Sequence, residues 1–167
     1  YPHHFLDFDQ LARFASAVSV VTWEQENIPT ATVEFLRERV PVYPSLELLR
    51  ASQHRLLEKT ALRTLGIPTA DFLKITSATE LQAGIKAFDG AGILKTVTLG
   101  YDGKGQAKVT AADDAAAIWQ RFAVQEAILE RIVEFDFELS IVCARFADGS
   151  CHFFQPSLND HVNHILD

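Results

Sequence analysis

The sequence of 167 residues holds no methionine and only two cysteines, Cys143 and Cys151. Two thiols do not build the disulfide framework of a small secreted domain, so a reducing, cytoplasmic setting is expected. No stretch reads as a secretory signal or approaches the length of a membrane span, and no membrane partner is expected. Cations are scarce, 15 Lys and Arg against 22 Asp and Glu, for a net charge of −7. That balance argues against a nucleic-acid backbone as the main partner, and any anion site must be local. Internal repeats and low-complexity tracts are missing too. The lack of an initiator methionine, with a start inside an apparent unit, leads us to expect a fragment.

What is present is ordinary globular material, 48% apolar and 22% charged, sufficient for one domain or two incomplete ones. Asp9 is the expected N-cap of a short helix burying Leu11, Phe14 and Ala15. Val18–Trp23 reads as a strand ending in the polar group Glu24-Gln25-Glu26-Asn27, where an α/β sheet presents its ligand-facing ends. Thr30–Glu38 reads as a helix and Val40–Tyr43 as a strand closed by Pro44, an α/β alternation. From Ser45 to Leu65 we expect helix, broken near Gln53, with a leucine stripe inward. Arg55 and Lys59 stand one turn apart on it, either reaching a phosphate or forming a solvated cationic face, and the solvated face is favoured.

After Gly66 and Pro68 the style changes. Phe72–Ile75 is an expected strand, Ser77–Phe88 a helix, Asp89–Gly92 a turn, and 112–122 a further helix. The richest stretch is Ile93–Gln106, a β run discharging into a loop with three glycines. Alternation places Lys95 on one face with Ile93, Val97 and Leu99, and a lysine on an apolar face needs an anion. The loop Gly100-Tyr101-Asp102-Gly103-Lys104-Gly105-Gln106 is neither a P-loop nor a dinucleotide fingerprint, because its glycine spacing fits neither. A glycine flap between two antiparallel strands, laid over phosphates, fits better; a plain hairpin with a snorkelling lysine is the alternative.

Ala127–Val133 reads as a strand with Glu130 on its apolar face, an acid in want of a partner. Glu130 and Glu138 either serve a nucleotide or are solvated strand acids. Asp148-Gly149 is expected to make a two-residue hairpin turn, setting Phe146 opposite Cys151 and Arg145 opposite His152, with Cys143 and Cys151 on opposite faces. His161 and His164 have metal-ligand spacing only if Leu158–Leu166 is helical, and no third ligand completes a zinc site.

In this order the motifs resemble the ATP-grasp enzymes, and within them the 5-(carboxyamino)imidazole ribonucleotide synthases of purine biosynthesis, over nearly the whole chain. The resemblance rests on Val20–Pro29, Pro44-Ser45, Arg55 to Lys59, Leu65–Thr69, Leu94-Lys95-Thr96, the heptapeptide Gly100–Gln106, Glu130, Glu138-Leu139-Ser140 and Ile165-Leu166. It implies an α/β and α+β chain: the end of a nucleotide-binding-like α/β domain (1–44), then most of an ATP-grasp domain of antiparallel sheets with helices (45–167). It implies ATP and Mg²⁺, with phosphates on Arg55 and Lys95 and a flap of Gly100, Tyr101, Asp102, Gly103, Lys104, Gly105 and Gln106. Adenine would lie on Glu130, Arg131, Ile132 and Val133, ribose on Glu138, and His161 would match a further nucleotide-site histidine. Tyr101, Asp102 and Lys104 would also handle a bicarbonate-derived intermediate. Bicarbonate and 5-aminoimidazole ribonucleotide are the implied partners, in a cytoplasmic homodimer, with the magnesium acids expected beyond Asp167. Leu158 and His164 depart from the family pattern, which usually has glutamate and glycine there. Another ATP-grasp ligase, or a nucleotide-binding module without catalysis, is the alternative.

Overall fold

The computed structural model describes residues 4–100, 105–162 and 165–166. The first helix, α1 (Phe8–Ser16), is capped by Asp7 rather than Asp9: the Asp7 carboxylate accepts from the Gln10 amide at 3.1 Å, leaving Asp9 in the first turn. Its Leu11, Phe14 and Ala15 pack against Val21, Leu36 and Val40. β1 (Val21–Thr22) and β2 (Val42–Tyr43) pair in parallel around α2 (Thr30–Arg37), the expected βαβ unit with shorter strands than the sequence pattern suggests.

The helical stretch breaks where Gln53 interrupts it. α3 (Leu46–Ser52) begins at Ser45, whose hydroxyl accepts from the Leu48 amide at 3.2 Å, and α4 (Arg55–Thr64) follows. Leu46 and Leu49 are buried with Ile28 and Val33, but no residue of α4 is buried, and Leu57 and Leu65 are exposed. The expected leucine stripe therefore ends with α3. α4 stops in a Schellman arrangement, Ile67 N–H to Leu62 C=O and Gly66 N–H to Arg63 C=O, both 2.9 Å.

Four antiparallel strands make the central sheet in the order β3-β6-β4-β5: β3 (Phe72–Ile75), β4 (Ala91–Thr96), β5 (Gln106–Thr110) and β6 (Ala127–Glu130). α5 (Ala78–Ala87), capped by Ser77, and α6 (Ala115–Phe122), capped by Asp114, supply Leu81, Ile85, Phe88 and Ile118 to a core shared with Ile75, Leu94, Val109 and Leu129. α6 begins three residues later than expected, because Asp114 accepts from the amides of Ala116 and Ala117 while Asp113 folds back onto Thr110.

The register decides which face is which. Leu94 lies opposite Leu129, and Lys95 opposite Ile128, so the core takes the Leu94 face and Lys95 belongs to the other, with Ile93, Ile128 and Glu130. β4 ends at Thr96. Leu99, expected on the same strand face as Lys95, has left the sheet with φ 58° and is exposed.

Beyond β6 the chain forms a ribbon whose residues 133–158 are all exposed. β7 (Glu138–Ser140) pairs with β10 (Ser157–Asn159), and β8 (Cys143–Arg145) with β9 (Cys151–Phe153), the register shifting by one residue between the two pairs. Pro156, which cannot donate to a ladder, sits at that shift. The hairpin turn is three residues long, Ala147-Asp148-Gly149: Phe146 N–H donates to Ser150 C=O at 2.9 Å and Gly149 takes φ 86°. The expected two-residue turn is thus corrected, and with it the facing of the thiols. Arg145 lies opposite Cys151 and Ala144 opposite His152, which puts Cys143 and Cys151 on one face, along with Phe153.

The segment whose histidines have metal-ligand spacing only in a helix is extended. β10 runs on to β11 (His161–Val162), paired with β12 (Ile165–Leu166), so the helical spacing of His161 and His164 does not apply; His164 lies outside the described residues.

Candidate functional site

The face of the sheet opposite the core carries a charge cluster built from three elements. Glu130, on β6, is 7% exposed and would be costly to keep ionised alone. Its Oε2 accepts from Lys95 Nζ at 2.7 Å, and its Oε1 lies 3.3 Å from Lys59 Nζ. Lys95 reaches it diagonally across the β4–β6 ladder. Lys59 arrives from α4, so the Arg55–Lys59 pair, expected as a solvated face, instead points at the sheet. Two lysines sharing one carboxylate leave the cluster with one net positive charge.

Arg55 occupies the stem of the glycine hairpin. Its amide donates to Val97 C=O at 2.8 Å, and its guanidinium donates to the carbonyls of Thr96 (2.7 Å), Leu99 (2.6 Å) and Gly100 (2.8 Å). A planar fork of donors suits three converging carbonyls, which a lysine would not match. α4 is thereby fastened to β4 at the point where the chain leaves the sheet. Opposite it, Thr96 N–H donates to Gly105 C=O at 2.8 Å. Gly105 has φ 71°, and a Cβ there would lie 2.8 Å from Thr96 Oγ1, so the stem admits no larger residue without strain. Thr96 Oγ1 and His54 Nδ1 are buried polar atoms without hydrogen-bond partners among the described residues. The loop thus joins antiparallel β4 and β5, a connection that a glycine flap and a plain hairpin share. Tyr101, Asp102, Gly103 and Lys104 lie outside the described residues; Gln106 begins β5, exposed, opposite Lys95.

A second group, which sequence reasoning missed, lies near this stem, with Lys74 on the same sheet face as Lys95. Glu126, just before β6, is held by Lys74 of β3 and by His54, whose Nε2 stands 3.2 Å from Glu126 Oε2. The hydrogen bond from Lys74 and its charge, then the contact with His54, hold the Glu126 carboxyl below its usual value against the opposing effect of burial. Nothing in the local sequence marks these three residues, since His54 is 72 positions from Glu126 along the chain and adjacent to it only in space.

The remaining candidates are more dispersed. Arg131 continues from β6, its amide donating to Asp71 C=O at 2.8 Å and its guanidinium to Asp89 at 2.6 Å, over the Phe88 ring. Ile132 is half-buried and Val133 exposed. Glu138 stands in the β7–β10 ribbon and accepts from Asn159 Nδ2 at 2.7 Å. Glu24 and Glu26, at the end of the β1 unit, line an open cleft with Gln53, Arg55 and Glu58. Among the described residues, no three His, Cys, Asp or Glu side chains converge on a metal position.

Comparison with known proteins agrees with this geometry. The ATP-grasp domain family matches residues 60–167, and the ribonucleotide synthetase preATP-grasp domain family matches residues 2–53. The chain is 41% identical over 167 residues to a bifunctional purine synthesis protein of Dictyostelium discoideum, covering 98% of this chain and 17% of that protein. It is 40% identical over 160 residues to the N5-carboxyaminoimidazole ribonucleotide synthase of Pseudomonas aeruginosa, covering 96% of this chain and 44% of the relative. Among solved structures, an ADP complex of an N5-carboxyaminoimidazole ribonucleotide synthetase superposes with a TM-score of 0.89 at 31% identity, over 98% of this chain and 44% of that one. The enzyme of the same name from Thermus thermophilus gives 0.87 at 34%, with the same coverage. The chain therefore spans less than half the length of each.

Proposed function

We propose, because this chain belongs to the ATP-grasp family, that it is the nucleotide-binding part of an ATP-dependent carbon–nitrogen ligase, a 5-(carboxyamino)imidazole ribonucleotide synthase. The observation that carries the reading is the Lys95–Glu130–Lys59 cluster beside a glycine hairpin whose stem Arg55 holds. Phosphate oxygens in that position would meet Lys95 and the loop amides, while Arg55 acts through the loop backbone it binds. Adenine would lie along Glu130, Arg131, Ile132 and Val133, and a ribose hydroxyl on Glu138. His161 is proposed at the same site. Tyr101, Asp102 and Lys104 of the heptapeptide would handle the bicarbonate-derived intermediate.

The chemistry of such a ligase transfers the γ-phosphoryl group of ATP to a bicarbonate oxygen, releasing ADP. The resulting carboxyphosphate passes its carboxyl carbon to the amine of 5-aminoimidazole ribonucleotide, releasing phosphate. Carboxyphosphate is short-lived in water, so the hairpin's contribution is to hold phosphates and exclude solvent. Magnesium would neutralise the phosphates when bound. The described residues do not fit it, since Glu130 is already shared by two cations, and no step here runs through the metal. A homodimer in the cytoplasm and a division of the chain at residues 44 and 45 belong to the same proposal.

The test uses the complete gene product. ATP hydrolysis should appear only when bicarbonate and 5-aminoimidazole ribonucleotide are both present. Hydrolysis indifferent to both refutes the assignment, and hydrolysis that requires a different amine acceptor assigns another ligase of the family.

A further inference from the structure

Lys59 is given no contact with the nucleotide in the reading above, yet it is the second of two ammonium groups on one buried carboxylate. Its position is fixed as firmly as that of Lys95. It lies one turn beyond Arg55 on α4, and Arg55 ties that helix through four hydrogen bonds to the last residue of β4 and the segment that follows it. The two lysines differ in their surroundings: the Lys95 side chain is 26% exposed and sits at the hairpin stem, whereas that of Lys59 is 18% exposed and approaches Glu130 from the helix. The Lys95 contact is also the shorter, 2.7 Å against 3.3 Å.

Consider what happens if Lys95 turns to a phosphate. Glu130, 9% exposed at its side chain, loses its nearer partner. A buried carboxylate stripped of its counter-ion is strongly destabilised, and that cost would be subtracted from nucleotide affinity. A second ammonium already on the other carboxylate oxygen removes most of it.

We propose that Lys59 is a positioning residue, a stand-by counter-ion that keeps Glu130 paired and so frees Lys95 for the nucleotide. The proposal rests on the reading of Lys95 as a phosphate ligand. Lys59 touches no nucleotide atom in it. Its effect is on the cost of moving Lys95, and it should therefore matter for phosphate-bearing ligands and vanish when Glu130 carries no charge.

The 167-residue chain is titrated with ATP and with adenosine, in wild type, Lys59→Met, Lys59→Arg, Glu130→Gln and the double variant Lys59→Met/Glu130→Gln. Expected are an ATP affinity about tenfold lower in Lys59→Met, an unchanged adenosine affinity, rescue by Lys59→Arg, and no further loss when Lys59→Met is added to Glu130→Gln. Persistence of the loss in the Glu130→Gln background makes Lys59 a direct phosphate ligand and overturns the proposal. So does an unchanged ATP affinity in Lys59→Met, which leaves a purely structural ion pair. Thermal unfolding tests the counter-ion exchange without nucleotide. Lys59→Met and Lys95→Met together should lower Tm by more than the sum of the single losses, since each lysine covers for the other. Additive losses overturn the proposal whatever the titrations give. A wild-type chain that binds no ATP but shows the excess loss retains the shared counter-ion and refutes the nucleotide reading instead.

Discussion

Arg55→Lys keeps the charge at the hairpin stem and removes the fork. The guanidinium now donates to three carbonyls, those of Thr96, Leu99 and Gly100, and an ammonium on a shorter, single-point donor retains one of them. At about 1 kcal/mol net for each partly solvated hydrogen bond, two lost bonds amount to about 2 kcal/mol, a roughly thirtyfold rise in the local opening of the stem. The loss should stay local, because the sheet core of Leu94, Val109 and Leu129 lies on the opposite face. Native-state hydrogen exchange reads it at two amides: Thr96 N–H, bonded to Gly105 C=O, and Arg55's own N–H, bonded to Val97 C=O. Both should lose protection by about that factor, while the amides of β6 keep theirs. Unchanged protection at Thr96 would refute the clamp and leave the guanidinium as an incidental neighbour of the loop.

Glu130→Ala leaves two lysines facing each other without a carboxylate; at their exposure of 18% and 26% the cost should be about 3 kcal/mol, a fall in Tm of roughly 6–12 °C by calorimetry. A shift under a degree or two would mean that water replaces the carboxylate. The lowered pKa of Glu126 fixes a sign for acid unfolding. The unfolded chain takes up the proton first, so the contribution is present above the ordinary carboxylate value of 4.5 and is lost as pH falls through the lower folded value. Lys74→Met should therefore reduce stability at neutral pH and flatten that acid limb, as followed by urea unfolding across pH. Because Cys143 and Cys151 share a face of the ribbon, a short bis-halide alkylating reagent should bridge them within one chain, each thiol displacing one halide, seen as a single adduct by mass spectrometry. Two separate adducts would restore the two-residue turn.

Local signals carried the element types. The strand at Phe72–Ile75, the helix start at Ser77, the Gly66 stop and the break near Gln53 all fall where the sequence pattern puts them. Helix starts were less exact: Asp7 caps α1 in place of the expected Asp9, and α6 begins after Asp114 rather than at residue 112. The acid of Glu130 and the cation of Lys95 each announced an unmet need on a strand, and that they meet each other is a consequence of a register no single strand encodes.

The sequence by itself determined the alternation of helices and strands, the glycine hairpin between two strands, and, through the order of Arg55, Lys95, the heptapeptide, Glu130 and Glu138, the family. Tertiary structure alone decided which face of β4 is core, since that depends on the helices that cover it. It also decided that Arg55 binds backbone carbonyls, that α4 turns Lys59 inward, and that one more residue in a turn brings two thiols to the same side. The physical reason is common to all of these. Periodicity fixes which side chains of an element point together, but the direction in which that set points is set by partners distant in the chain.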